Sequence, residues 1–84
     1  MKSEKHFKGL LVDVGSGLAA LRMKKGYTTI KAFTEKYDLP EIQYWRIEKG
    51  KTNVTLKSLS RILNIHRLTV HEFFCLIQDH KLAA

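Results

Sequence analysis

The sequence predicts an all-α fold of about five short helices. Three observations carry this. Apolar residues recur at helical spacing, capping residues stand between the periodic runs, and no strand-like alternation of useful length occurs. With 84 residues, 44% hydrophobic and 27% charged, the chain is expected to form one small folded domain and is too apolar for a disordered tail. A dinucleotide-binding α/β fold, a β/α barrel or a two-domain catalyst is not expected at this length.

The first helix is marked by Leu11, Val14, Leu18 and Leu21, one face at i, i+3, i+7 and i+10, ending near Lys25-Gly26. Gly15 and Gly17 interrupt it, each costing up to about 1 kcal/mol relative to Ala, so its start is not defined. Residues 1–9 are read as a flexible basic segment, 10–80 as the folded domain and 81–84 as a tail. Thr29 offers an N-cap to a second helix with Ile30, Phe33 and Tyr37 on its apolar side. Asp38-Leu39-Pro40 interrupts that helix, and proline suits the start of the next. The third helix runs from Pro40 or Glu41 to about Lys49, with Tyr44 and Ile47 inward and Gly50 ending it. Thr55 caps a fourth helix with core residues Leu56, Leu59, Ile62 and Leu63, closed by Asn64. Thr69 caps a fifth, in which Val70, Phe73, Phe74 and Ile77 repeat at helical spacing.

Helices two and three, about 29–49, are joined by so few residues that they form a helix-turn-helix unit. The short turn forces a steep crossing and leaves the outer face of the second helix free to enter a major groove about 12 Å wide. Burying Tyr44 and Ile47 turns Glu41, Ile42, Trp45, Arg46 and Lys49 outward. That stripe mixes hydrogen-bonding, apolar and cationic groups, as a base-reading surface must. Charge agrees: the chain carries a formal +7. From Arg46 to Arg67 there are six basic residues (46, 49, 51, 57, 61, 67) against one acidic residue, Glu48. Lys49 and Lys51 are read as phosphate contacts, whereas Lys57, Arg61 and Arg67 fit a solvated helix face equally well.

The stretch Leu21–Phe74 contains LRMKKGYT, the capped helix TIKAFTEKYDLP, the run YWRIEKGKTNVTLKSLSRIL and the ending NIHRLTVHEFF. It resembles the Cro/phage-repressor (Xre-like, lambda-repressor-like) helix-turn-helix family over roughly two thirds of the chain. The resemblance implies a DNA-binding transcription regulator. It places Glu48 at the family's near-invariant glutamate and Arg22 at the helix-one arginine paired with it, a structural ion pair locking helix three to helix one. It places Glu41, Ile42, Gln43 and Arg46 at base-contact positions. Gln43 would bond an adenine edge, Arg46 a guanine or a phosphate, Ile42 a thymine methyl, and Glu41 would accept from a cytosine amine or repel wrong sequences. Lys51, Thr52 and Asn53 match the loop that contacts the sugar-phosphate backbone. The sequence departs from the pattern in three places. Ile30 replaces the usual glutamine, leaving Thr29 as a weaker phosphate contact. One extra residue falls around Tyr27-Thr28. Asp38 replaces the turn glycine, with Pro40 where Ser or Thr is common.

Other features compete less well. Leu11–Gly17 looks like a methyltransferase nucleotide loop, but that chemistry needs a strand and a parallel sheet. His66, His71, Cys75 and His80 invite a metal site, yet only His71 and Cys75 are one helical turn apart, and no metal is expected. No catalytic constellation stands out, so no enzyme and no cofactor are expected. Trp45 could pack on deoxyribose or a thymine methyl, anchor a partner, or close against helix two. The outer edge of the Phe73/Phe74/Ile77 stripe, with Leu76 and Leu82, could form a homodimer seam. A single cysteine and the lack of an apolar run of about 20 residues fit a cytoplasmic protein with no membrane segment. The expected function is a transcriptional regulator acting as a repressor, reading an inverted repeat in double-stranded DNA through helix 40–49. An antitoxin with a toxin partner and a protein-interaction module are the alternatives.

Overall fold

The protein is all-α. The computed structural model describes residues 2–83, with side chains from 3 to 78, and no strand occurs among them. Five helices follow in order: α1 Lys2–Lys24, α2 Ile30–Tyr37, α3 Glu41–Glu48, α4 Leu56–Ile65 and α5 Val70–Ala83. They divide into two compact units, Met1–Asn53 with α1 to α3 and Val54–Ala84 with α4 and α5.

In the first unit α3 packs against both α1 and α2. Val14 and Leu18 of α1, Phe33 of α2, and Tyr44 and Ile47 of α3 are buried, as their periodicity predicts. Leu11 and Leu21 are half-buried at the edges of the α1 stripe. The approach of α1 to the end of α3 depends on Gly15. A Cβ there would fall 2.7 Å from the Ile47 carbonyl oxygen and from the Glu48 carbonyl carbon. Gly50, with φ +67°, adopts a left-handed conformation where a Cβ would also press on Val12 at 3.0 Å.

In the second unit α4 packs on α5, with Leu59, Ile62, Leu63 and Phe73 buried. The predicted caps form. Thr29 accepts from the Ala32 amide at 3.1 Å and Thr55 from the Ser58 amide at 3.0 Å. Thr69 and Glu72 make a reciprocal capping box, with bonds of 3.0 and 2.8 Å. The Thr69 amide, more than its hydroxyl, holds the Glu72 carboxyl below its ordinary pKa.

Several expectations are corrected. Residues read as a flexible N-terminal segment are helical from Lys2, and α5 continues through the expected tail to Ala83. Leu56, expected in the core, is 70% exposed. It opens α4, so its side chain leans toward the N-terminus, past the last packed turn. Helix α4 ends at Ile65 rather than at Asn64. Its closing turn runs through Arg67 at φ +58°, whose amide donates to the Asn64 carbonyl at 3.0 Å. The Leu68 amide donates to the Leu63 carbonyl at 3.0 Å in the same motif.

Candidate nucleic-acid interface

Helix α3 is eight residues long and amphipathic in a way set by its neighbours. Tyr44, Ile47 and Glu48 are buried, while Glu41, Ile42, Gln43, Trp45, Arg46 and Lys49 are exposed. The turn before it uses Asp38 at φ 55°, ψ 52°, a left-handed position that Asp tolerates better than most residues. Pro40 stands at the N-cap with no side-chain bond, its fixed φ matching the entry to the helix. At the far end the Gly50 amide donates to the Ile47 carbonyl at 3.1 Å and the Lys51 amide to the Arg46 carbonyl at 2.9 Å. This left-handed closure sends the chain directly into Lys51, Thr52 and Asn53.

The pairing of Arg22 with Glu48 is present and buried. Arg22 Nε donates to Glu48 Oε2 at 2.8 Å and Nη2 to Oε1 at 3.2 Å. Arg22 Nη1 also donates to the Tyr27 carbonyl at 2.8 Å. One guanidinium thus ties α1 to α3 and to the loop before α2. The Glu48 hydrogen bond raises the Arg22 pKa against the opposing effect of burial. The Tyr44 ring lies 5.3 Å from Phe33, which lies 5.1 Å from Tyr37 and 5.7 Å from Tyr27, centroid to centroid. Through Tyr27 this aromatic row packs the loop before α2 onto the core. The Tyr44 hydroxyl is buried without a hydrogen-bond partner, and burial, then the nearby Glu48, push its pKa upward.

All ten residues predicted to contact DNA fall within the first unit. Thr29, Glu41, Ile42, Gln43, Trp45, Arg46, Lys49, Lys51 and Asn53 are exposed, and Thr52 is half-buried. Trp45 is 40% exposed, so it does not close fully against helix two, and Lys51 Nζ stands over its ring at 5.7 Å. Ile30, at the start of α2, is half-buried. Lys57, Arg61 and Arg67 are exposed on the second unit. Sequence reasoning missed two supports of this surface. Gly15 reads locally only as a cost to the first helix, although a glycine inside a strong helical period is itself a signal of close approach. The Tyr27 carbonyl, as a main-chain acceptor, left no signal at all.

The other candidate features resolve simply. Among the described residues no three His, Cys, Asp or Glu are grouped to hold a metal. Cys75 Sγ meets His71 Nε2 at 3.6 Å on the exposed side of α5, and the side chain of His80 lies outside the described residues. Leu11–Gly17 lies within α1. Of the predicted dimer seam, Leu76 is 51% exposed, and the side chain of Leu82 lies outside the described residues. No described helix is long and apolar enough to cross a membrane. No family model, curated protein or solved structure matches the chain.

Proposed function

We propose that this protein is a sequence-specific double-stranded DNA-binding regulator of transcription, of the phage-repressor-like helix-turn-helix class. The observation that supports this best is α3 itself. Its inner face is buried and bolted through Glu48 to Arg22, while its outer face presents Gln43, Arg46 and Lys49 free of the core. A helix held rigidly from behind, three residues after another short helix, can enter a major groove with its side chains already placed. Arg46 and Gln43 supply hydrogen bonds to base edges, and Lys49, Lys51 and Asn53 approach phosphates. The protein acts as a homodimer, in the cytoplasm, by occupying a promoter. Two copies related by a dyad read half-sites about 34 Å apart, which makes the operator an inverted repeat.

Selection from a randomised duplex pool at about 0.15 M salt tests this, because non-specific binding is already weakened there. Enrichment of an inverted repeat is the expected result. A folded protein that enriches no duplex would remove the proposal and favour an interaction module or an antitoxin that binds DNA only with its toxin.

A further inference from the structure

His71 and Cys75 stand one turn apart on α5, and both side chains are exposed. Phe73, midway between them, is buried. Two positions along a helix is about 200° of rotation, so both donors lie on the line of α5 that points away from its packed face. Cys75 Sγ and His71 Nε2 are 3.6 Å apart. That is the spacing of neighbouring ligands on one metal ion. Bonds of about 2.3 Å to sulfur and about 2.05 Å to nitrogen, at the tetrahedral angle, put the two atoms about 3.6 Å apart. A thiol hydrogen bond to imidazole spans a similar distance, and it presents the same two atoms to a cation that displaces the thiol proton.

Two donors are half of a structural site, which takes four in a tetrahedron. Among the described residues no third His, Cys, Asp or Glu joins them. The adjacent carboxylate of Glu72 is engaged in the capping box, accepting from the Thr69 amide at 2.8 Å. The remaining donors come from another molecule, and a second copy of this chain supplies them with no new residue type. A twofold axis beside α5 doubles one thiolate and one imidazole into a two-cysteine, two-histidine set. Two copies of formal charge +7 repel each other, so their contact needs a specific link. A divalent cation that displaces two thiol protons leaves the net charge unchanged and adds four bonds. We propose that His71 and Cys75 form half of a zinc-type site that joins two copies of this chain across α5. One cation binds, two thiol protons pass to the buffer, and dimerisation becomes linked to free metal. The site does not depend on DNA binding.

The test uses the full chain, reduced and metal-free, titrated with zinc and separately with cobalt(II). The visible bands of cobalt report tetrahedral geometry, and its near-ultraviolet band reports thiolate bonding. We expect saturation at one ion per two chains and a shift from monomer to dimer in sedimentation that a chelator reverses. With free zinc at about a hundred times its dissociation constant from the dimer, dimerisation should tighten about a hundredfold. Cys75→Ser and His71→Gln should each abolish the shift with helicity unchanged by circular dichroism, since both side chains are exposed. His6→Gln, which removes an exposed histidine of α1, should leave the shift intact. One ion bound per chain without association, no thiolate band, a dimer equally tight with zinc and with chelator, or zinc-driven association that survives either substitution overturns the proposal. Loss of the zinc response leaves DNA recognition standing, and a failed duplex selection leaves the metal site standing, so the two readings fail separately.

Discussion

Glu48 ends α3 with its carboxylate buried, and two nitrogens of Arg22 donate to it. A buried ion pair adds little net stability because desolvation offsets most of the attraction, but removing one partner strands the other. Glu48→Ala should therefore cost about 3–5 kcal/mol in urea unfolding, a large share of what a small domain has. The paired replacement Arg22→Met with Glu48→Leu should recover most of that loss. A cost below 1 kcal/mol for Glu48→Ala would mean that the pair does not hold α3. Tyr44 behaves in the opposite way: its ring fills the core while its hydroxyl is buried and unpartnered. Tyr44→Phe removes only the desolvated oxygen and should be neutral or stabilising by up to about 1 kcal/mol. Tyr44→Ala should cost about 3–5 kcal/mol, since it opens a cavity. Destabilisation by Phe comparable to that by Ala would reveal a bond that the hydroxyl needs.

At the scale of helices, periodicity located the buried faces because each helix has one packed side. Val14, Leu18, Phe33, Tyr44, Ile47, Leu59, Ile62, Leu63 and Phe73 are buried where 3.6-residue spacing places them. Helix ends were less legible, since they depend on main-chain conformations that a side chain does not advertise. The start of α1 has no apolar period before Phe7, so nothing in the sequence distinguishes a helix there from a polar arm. The proposed DNA-contact face was legible because it is the complement of a buried face, whereas the exposure of Leu56 depends on where packing stops. Two substitutions probe what local reading misjudged. Gly15→Ala would add about 1 kcal/mol by helix propensity alone, yet its Cβ would meet the backbone of Ile47 and Glu48. The steric effect should win, with a net loss of about 1–3 kcal/mol as for other overpacked sites. A rise in melting temperature would refute the close crossing. Arg67 is the reverse case, a non-glycine residue at φ +58° in a helix-closing turn. Arg67→Gly should stabilise by roughly 0.5–1 kcal/mol by relieving that conformation, less what glycine adds to the disorder of the unfolded chain. A loss of stability would mean that the Arg67 side chain makes a contact worth more than the strain.

For the whole molecule the question is how a formal charge of +7 divides between general attraction and recognition. Any polyanion attracts such a chain, so affinity for DNA alone would say little. The first unit carries every residue assigned to bases, whereas Lys57, Arg61 and Arg67 lie on the second. Phosphate contacts and base contacts separate by their response to salt and to sequence. Lys51→Ala should weaken operator and random duplex by similar factors and reduce the salt slope, d log K/d log[salt], by about 0.9. Arg46→Ala should weaken the operator more than random duplex and relax the preference at one base pair, at a cost of about 1–3 kcal/mol if Arg46 pairs with guanine. Should Arg46→Ala instead mimic Lys51→Ala on both duplexes, Arg46 would be a phosphate contact. Base reading would then fall to Glu41, Ile42 and Gln43. Equal losses on operator and random duplex from every substitution along α3 would show that the helix only holds DNA by charge, and the rigid bracing by Arg22 would need another explanation.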